Sequence, residues 1–243
     1  MSEKSEKSYI LLKADFHVHS TFSDGYYTPT QLVALYANKS YDVIALTDHD
    51  TVEGYGEARL EGERLGLIII KGEEISCQFP DKSFKHILAL FIETTIQIDW
   101  KAWRTMEVQT YFDLIHQQGG LGIVAHAWQN WSSNWKSYQN ASYIDGWEYT
   151  PWQCSSVQEW LFQFSNKIYL LNHDFQGDSK GTSESQLSSY YTVILAHNRT
   201  LEGAREALNS RRTVAYSSGK YYGNPYVIAL LIQNERWDVI RRG

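Results

Sequence analysis

The sequence has few cysteines, no excess of basic residues and no long hydrophobic run. Its two cysteines, Cys77 and Cys154, could form at most one disulfide, and each lies in an apolar setting where a free thiol packs as a small hydrophobic group. With 28 acidic against 22 basic residues, the net charge of −6 repels a phosphate backbone, so nucleic acid is not expected as a bulk partner. No apolar run reaches membrane-spanning length, and the polar MSEKSEKS start is followed by no apolar signal core. We therefore expect a cytoplasmic protein that does not bind membranes.

The length and composition are those of a single globular domain. Hydrophobic residues make up 43% of the 243 residues and charged residues 21%, which is typical of a chain that folds around a core. An α/β barrel of this length need not be divided. No internal repeat, linker or low-complexity segment interrupts the sequence, so we predict one domain over residues 1–243.

Short β-branched runs alternate with helical patterns, which is typical of βα units. The predicted strands are Ile10–Phe16, Val43–Thr47, Leu67–Lys71, His86–Ile92, Leu121–Ala125, Ile144–Tyr149, Ile168–Asn172, Thr192–Ala196 and Thr213–Tyr216. One predicted helix has Thr28 as its N-cap, begins at Pro29 and runs through Tyr36. A second predicted helix stops at Gly119, and a third opens at Thr200 and runs through Leu208. We expect an α/β fold with a parallel sheet, closed or nearly closed, that carries functional groups at the carboxyl ends of its strands.

Residues 128–160 break this pattern because they are rich in tryptophan, asparagine, serine and glutamine. The tryptophans are Trp128, Trp131, Trp135, Trp147, Trp152 and Trp160. Two interpretations remain open: the indoles pack a small core of this excursion, as aromatic residues usually do, or the segment forms a lid that stacks on a substrate ring.

The stretch DFHVHSTFSDG places His17 and His19 at the end of the first predicted strand, where residues i and i+2 point to the same face. A single buried histidine is more often structural than a ligand. Imidazoles and carboxylates recur, however, at other predicted strand ends: His49 in ALTDHDT, Glu74 in KGEEIS, His86 in HILAL, His126 in GIVAHA and Asp174 in YLLNHD. A closed barrel would bring these side chains to one rim.

Such a cluster requires cations, because uncompensated charged groups at one rim would destabilise the fold. Nitrogen and oxygen donors without thiolate suit zinc, manganese or iron, and the donors do not choose among the three. The donors outnumber those that one tetrahedral zinc can use, so we expect two to three divalent metal ions. A hydroxide held between two ions forms near pH 7, at a pKa of about 7, so the expected reaction is hydrolysis.

These motifs, in this order, resemble the PHP (polymerase and histidinol phosphatase) superfamily of metallohydrolases. The matching segments are DFHVHSTFSDG, ALTDHDT, GEEIS, HILAL, AHA and HDFQG. The resemblance covers Asp15 to Leu90 most closely and weakens beyond Gly177. It implies a distorted seven-stranded β/α barrel of the TIM-like type with up to three metals. The segment YYTVILAHNRTLEGAREALNSRRTVA also resembles the ending of short proteins in the CehA/McbA-like branch.

The resemblance implies a role for each donor. One ion would be held by His17, His19, Glu74 and Asp174, a second by Glu74, His86 and His126, and a third by Asp24 and His49. Glu74, His49 and Asp174 are the expected catalytic residues. The family places its bridging carboxylate two residues after Gly72, which selects Glu74 and leaves Glu73 as a surface acid or a supporting one.

The match departs from the family at Gln176, where many relatives have histidine. A glutamine amide is a poor zinc ligand, so we predict a weak third site. His173 should point to the opposite face from Asp174. Asp48 and Asp50 could orient His49 or serve as cap and turn residues.

The expected activity is hydrolysis of a small phosphomonoester or phosphodiester, since a pocket with several cations suits a phosphoryl group. Lys180 and Arg199 could bind phosphate or be solvated surface charges. His116 and His197 are predicted to be structural. A carboxylic ester or amide hydrolase of the CehA/McbA type, and a non-catalytic module stabilised by its metals, are the alternatives.

Overall fold

The fold is described by a computed structural model over residues 9–78, 84–98, 106–127, 141–149, 166–177 and 183–242. In these ranges the strands are β1 (Ile10–Val18), β2 (Val43–Leu46), β3 (Ile68–Gln78), β4 (Phe84–Leu90), β5 (Leu121–Val124), β6 (Gly146–Tyr149), β7 (Ile168–Leu171), β8 (Tyr190–Ala196), β9 (Thr213–Ser217) and β10 (Lys220–Gly223). The helices are α1 (Pro29–Asn38), α2 (Tyr55–Leu65), α3 (Val108–Gln117), α4 (Leu201–Asn209) and α5 (Pro225–Arg242).

The strands form one mixed sheet in the order β10-β9-β8-β1-β2-β3-β4-β5-β6-β7. The parallel pairing predicted from the sequence is present in β1–β3 and in β5–β7. It is wrong for β4, which is antiparallel to both neighbours, and for β8 and β9, which are antiparallel as well. Strand β10, which the sequence does not predict, is antiparallel to β9. The reason for β4 is that only residues 79–83 separate it from β3, and a parallel crossover needs about a dozen residues.

The third strand is longer than predicted. The sequence predicts a strand over Leu67–Lys71 with Glu74 at its end, but β3 continues to Gln78 because its second half pairs with β4. The change of partner falls at Gly72, where a Cβ atom would lie 2.7 Å from the Ala89 carbonyl oxygen. Glu74 therefore projects from a strand that is paired along its length, which fixes its backbone.

Side-chain hydroxyls bring the far end of the sheet back to β8 and β9. The Leu171 amide of β7 donates to Thr192 Oγ1 at 2.8 Å, and the Tyr169 amide donates to Thr213 Oγ1 at 3.4 Å. The sheet thus curls into a nearly closed barrel, which confirms the expected α/β, TIM-like barrel.

Helix boundaries agree closely with the sequence. Thr28 caps α1 by accepting from the Gln31 amide, while the Gln31 side chain accepts from the Thr28 amide, so the two residues form a capping box ahead of Pro29. Gly119, at φ +73°, follows α3, and Thr200 caps α4. Successive side chains of β2 point to opposite faces of the sheet, so they join different parts of the core. Val43 and Ala45 belong to the same buried cluster as residues of α4. Ile44 and Leu46 belong to the cluster that includes residues of α1 and α2. Among the described helices, none has the length and apolarity needed to cross a bilayer.

Candidate metal centre

Eight side chains from six strands and the loops that follow them converge at one end of the barrel, and we call them the donor cluster. They are His17, His19, Asp24, His49, Glu74, His86, His126 and Asp174. The structure therefore brings together all the histidines and acids expected at the site from the sequence. His86 joins the cluster because β4 runs antiparallel to its neighbours, so the start of β4 lies beside the carboxyl ends of the other strands.

Glu74 lies at the centre of the donor cluster and is almost fully buried. Five imidazole nitrogens surround its carboxylate: Oε2 lies 2.9 Å from His17 Nε2, 3.1 Å from His19 Nε2 and 3.4 Å from His49 Nδ1, and Oε1 lies 2.8 Å from both His86 Nδ1 and His126 Nε2. One oxygen thus faces three rings and the other faces two. This arrangement suits a carboxylate shared between neighbouring ions.

Subsets of the donor cluster lie close enough to share an ion. Within each of the sets His17, His19, Glu74 and Asp174; His49, Glu74 and His86; and His19, Asp24 and His49, the donor atoms lie within 4.8 Å of one another. Gln176 lies beside them, with its Nε2 3.4 Å from Asp174 Oδ1. The first set is the group that the family resemblance implied for one ion.

Three ring nitrogens of the donor cluster are buried, and hydrogen bonding leaves them unsatisfied. His17 Nε2, His19 Nε2 and His49 Nδ1 make no hydrogen bond with any described residue, although each points toward carboxylate oxygens. Buried polar atoms in proteins are normally paired. Nitrogen lone pairs that converge with carboxylate oxygens are the donors that zinc, manganese and iron use, so the residues present fit a divalent metal ion.

The charges of the donor cluster depend on one another. Burial alone would lower the pKa of His19, but the carboxylates of Asp174 and Glu74 raise it to about 9. Burial would also lower the pKa of His17, but the carboxylates of Glu148 and Glu74 outweigh it and raise this pKa well above its usual value. Burial would raise the pKa of Glu74, yet the neighbouring histidines hold it well below its usual range. The buried carboxylates therefore stay ionised and require positive charge beside them.

The loop after β1 carries Asp24 and is anchored by Asp48. The Asp48 carboxylate accepts from the Ser20 amide, the Ser20 hydroxyl and the Ser23 hydroxyl, each at 2.7 Å. Asp50, at φ +53°, accepts from the Ser76 amide at 2.8 Å. Both aspartates therefore hold segments that are distant in the sequence, Ser20 being 28 and Ser76 26 positions away, and the helix that follows them, α2, has Gly54 at its N-cap. This is neither the orienting of His49 nor the capping role that the sequence suggested.

Glu148 is a site residue that sequence reasoning missed. It is a buried acid in β6, and its carboxylate lies 2.9 Å from His17 Nδ1 and accepts from the His126 amide at 2.6 Å. The sequence signal was an acid inside the short apolar strand GWEY. Glu148, His17 and His126 also form a further set of donors that lie within 4.8 Å of one another.

Glu73 is not the surface acid that one interpretation allowed. It is fully buried on β3, and its Oε1 accepts from the Ile96 amide at 2.6 Å. Burial raises the pKa of Glu73 to about 8, against a smaller lowering by that hydrogen bond. Glu73 and Glu74 thus lie on opposite faces of one strand, and only Glu74 belongs to the donor cluster.

His173 points away from the donor cluster, as predicted. Its Nδ1 lies 2.7 Å from Asp15 Oδ2 and its Nε2 lies 3.1 Å from the Gln186 carbonyl oxygen. The remaining candidates have structural contacts: His116 pairs with Asp145, His197 stacks on Tyr9, and Arg199 pairs with Asp42 next to the start of β2. Arg199 therefore lies at the end of the barrel opposite the donor cluster.

Part of the tryptophan-rich segment lies outside the described residues. This applies to Trp128, Trp131, Trp135, Trp152 and Trp160, and also to Lys180 and Cys154. Trp147 belongs to β6 and is fully buried in the core with Phe112 and Tyr149. For Trp147 the packing interpretation is correct.

Comparison with known proteins adds to this geometry. Residues 15–222 match the model of the PHP domain. A 5'-3' exoribonuclease of Haemophilus influenzae is 40% identical over 83 residues, which cover 34% of this chain and 30% of the relative. A phosphoribosyl 1,2-cyclic phosphate 1,2-diphosphodiesterase of Eggerthella lenta is 42% identical over 80 residues, covering 32% of this chain and 30% of the relative.

The fold also has counterparts among solved structures. A two-domain protein of Bacteroides vulgatus, containing a predicted PHP-like metal-dependent phosphoesterase, aligns with a TM-score of 0.68 and 23% identity over 93% of this chain and 70% of that chain. This likeness supports the fold. The two curated relatives match over only 30% of their own length.

Proposed function

The chain belongs to the PHP domain family, and we propose that it is a metal-dependent phosphoesterase that hydrolyses a small phosphomonoester or phosphodiester. The observation that carries the proposal is the position of Glu74, whose two oxygens face five imidazole nitrogens within 3.4 Å. A buried carboxylate in that setting suits neighbouring cations, and phosphoryl transfer is promoted by cations that neutralise developing charge.

We assign the donors as the family resemblance implies. His17, His19, Glu74 and Asp174 would hold one ion, Glu74 would be shared with a second ion held by His86 and His126, and Asp24 and His49 would take part in a third site. When bound, the ions would lower the pKa of a water molecule and neutralise the substrate's phosphoryl oxygens. Zinc, manganese and iron all suit these donors.

The exposure of the donors indicates where the substrate would enter. The side chain of Asp174 is 38% exposed, that of His86 28% and that of His49 25%, whereas His17 is fully buried. A phosphate ester would therefore approach on the side of Asp174, His49 and His86. The buried donors would keep their geometry while the substrate binds.

Phosphate esters are favoured over carboxylic esters and amides. The two curated relatives are named for the cleavage of phosphate esters, as an exoribonuclease and a cyclic phosphate diphosphodiesterase. The net charge of −6 disfavours a long nucleic acid and leaves a small phosphate ester as the better substrate class. Only the last donor position, Gln176, departs from the family pattern, which argues against a non-catalytic module. We further propose that residues 1–243 form one catalytic domain that acts in the cytoplasm.

A substrate screen tests this function. Purified protein, treated with chelator and then restored with Mn²⁺ or Zn²⁺, would be assayed against a panel of phosphomonoesters, phosphodiesters and carboxylic esters, with Glu74→Gln as the blank. We expect hydrolysis of at least one phosphate ester that requires the added metal and is lost in the variant. Hydrolysis confined to carboxylic esters, or equal turnover by the variant, would contradict the proposal.

A further inference from the structure

Glu148 lies beneath the donor cluster and contacts two of its histidines. Its Oε1 lies 2.9 Å from His17 Nδ1 and accepts a hydrogen bond of the same length from Asn172 Nδ2. Its Oε2 lies 3.1 Å from His17 Nδ1 and accepts from the His126 amide at 2.6 Å. Asn172 is fixed in turn, because its Oδ1 accepts from the Phe16 amide at 2.9 Å.

These contacts determine which nitrogen of His17 carries the proton. A carboxylate can only accept hydrogen bonds, and both oxygens of Glu148 do so from the His126 amide and Asn172, so His17 faces it with a donating Nδ1. The other nitrogen, Nε2, is then the one left to bind an ion. It points toward Glu74 and Asp174, at 2.9 Å and 3.4 Å, and makes no hydrogen bond with a described residue.

Glu148 also holds the backbone that presents His126. His126 has φ +31°, a left-handed conformation that residues other than glycine rarely adopt. Its amide is the group that donates to Glu148, and its Nε2 lies 2.8 Å from Glu74 Oε1. A single carboxylate therefore contacts the ring of one donor and the backbone of another.

We propose that Glu148 is a positioning residue of the metal centre, which fixes His17 with its proton on Nδ1 and its lone pair toward the ions and holds His126 in its left-handed backbone. This inference rests on the proposed metal cluster. Groups that orient metal ligands in this way typically contribute about 10–100-fold to metal affinity. Glu148 is not needed as a ligand, since Glu74 supplies the shared carboxylate.

The Asn172 contact allows a test by exchange. In Glu148→Gln, one oxygen becomes an NH₂ group, which must face either the His126 amide or the donors of His17 and Asn172. Adding Asn172→Asp turns the facing donor into an acceptor, so the double variant restores a partner for the new NH₂ group and returns the negative charge. Glu73→Gln is the matched control, because Glu73 is likewise a buried acid within a strand, here β3, but its described hydrogen bond is with the Ile96 amide.

Zinc affinity is measured by competition with a chelator, and zinc content at saturation by elemental analysis. We expect Glu148→Gln to bind zinc about 10–100-fold more weakly with an unchanged number of ions at saturation. The double variant should recover most of this loss, and Glu73→Gln should stay within about twofold of the unmodified protein. Wild-type affinity in Glu148→Gln would overturn the proposal. So would the loss of a whole ion, which would make Glu148 a ligand.

The position of the proton on the His17 ring can be measured in the unmodified protein, so this test does not depend on the folding of a variant. Long-range proton–nitrogen NMR spectra of the zinc-loaded, diamagnetic protein report which ring nitrogen carries hydrogen. We expect hydrogen on Nδ1 of His17, and metal coordination through Nδ1 would overturn the proposal. Neither readout uses a substrate. If both results hold while no phosphate ester is hydrolysed, only the proposed activity fails.

Discussion

Glu74 and His126 lie 52 positions apart in the sequence, and their side chains approach to 2.8 Å between Oε1 and Nε2. The contact depends on the direction of β4, which lies between β3 and β5 and is antiparallel to both. As a result, β3 and β5 run in the same direction. The barrel thereby brings Glu74, in the middle of β3, and His126, two residues after β5, to the same end.

Removing the charge of Glu74 should abolish metal-dependent hydrolysis. In Glu74→Gln the five surrounding imidazole nitrogens lose the carboxylate they share, so we expect turnover to fall by at least about 100-fold, more than the loss of a group that only orients a ligand. Circular dichroism checks that the variant is folded, and Glu73→Gln should retain turnover. Near-normal hydrolysis by Glu74→Gln would mean that the central carboxylate has been misassigned.

Chelation should lower the thermal stability of the protein. Ions that bind only the folded state stabilise it by about 2.7 kcal/mol at a free concentration 100 times the dissociation constant. We expect Tm to fall after treatment with chelator and to recover when Mn²⁺ or Zn²⁺ is added back. An unchanged Tm across the three states would indicate that the donor cluster binds no ion under these conditions.

The third site should be the weakest of the three. Gln176 offers only an amide, and its Nε2 lies 3.4 Å from Asp174 Oδ1. We therefore expect Asp24→Ala and His49→Ala to cost less activity than His17→Ala and His126→Ala, and Gln176→His to raise metal content toward three ions. Metal content and turnover are measured side by side in these variants. Three firmly held ions in the unmodified protein, with equal losses in all four alanine variants, would contradict a weak third site.

Gly25 should be irreplaceable in the loop that carries Asp24. A Cβ atom at Gly25 would lie 2.3 Å from the His19 carbonyl oxygen and 2.7 Å from the Ser20 amide nitrogen. We expect Gly25→Ala to reduce the free energy of unfolding by about 1–3 kcal/mol and to weaken metal binding. Gly56→Ala is the control, because a Cβ there meets nothing within 4 Å and alanine favours helix α2 by about 0.5–1 kcal/mol. Urea unfolding measures both variants, and equal stability of the two would argue against a tight loop.

Local chemistry explains why much of the site could be predicted. His17 and His19 share a face at the end of β1, and the Thr28 cap with Pro29 marks the start of α1, because both features depend on residues close in sequence. The same is true of His173, which alternation turns away from Asp174 toward Asp15.

Features that depend on contacts between residues far apart in the sequence could not be predicted in the same way. Glu148 is an acid in a strand of four residues, and its role becomes visible only when His17, 131 positions away in the chain, lies beside it. The length of β3 depends on its pairing with β4, and β10 depends on a tight turn at Ser218 and Gly219 with positive φ at both residues. The burial of Glu73 likewise follows from the Ile96 backbone, which the sequence does not bring near it.

The most direct test of the metal-dependent account is the metal content of the protein purified without chelator, determined by elemental analysis per chain. The donor cluster gathers more imidazole and carboxylate donors than one tetrahedral ion can use, with Glu74 facing rings on both of its oxygens. We predict at least two transition-metal ions per chain. Fewer than one ion per chain, even after supplementation with Zn²⁺ or Mn²⁺, would contradict it.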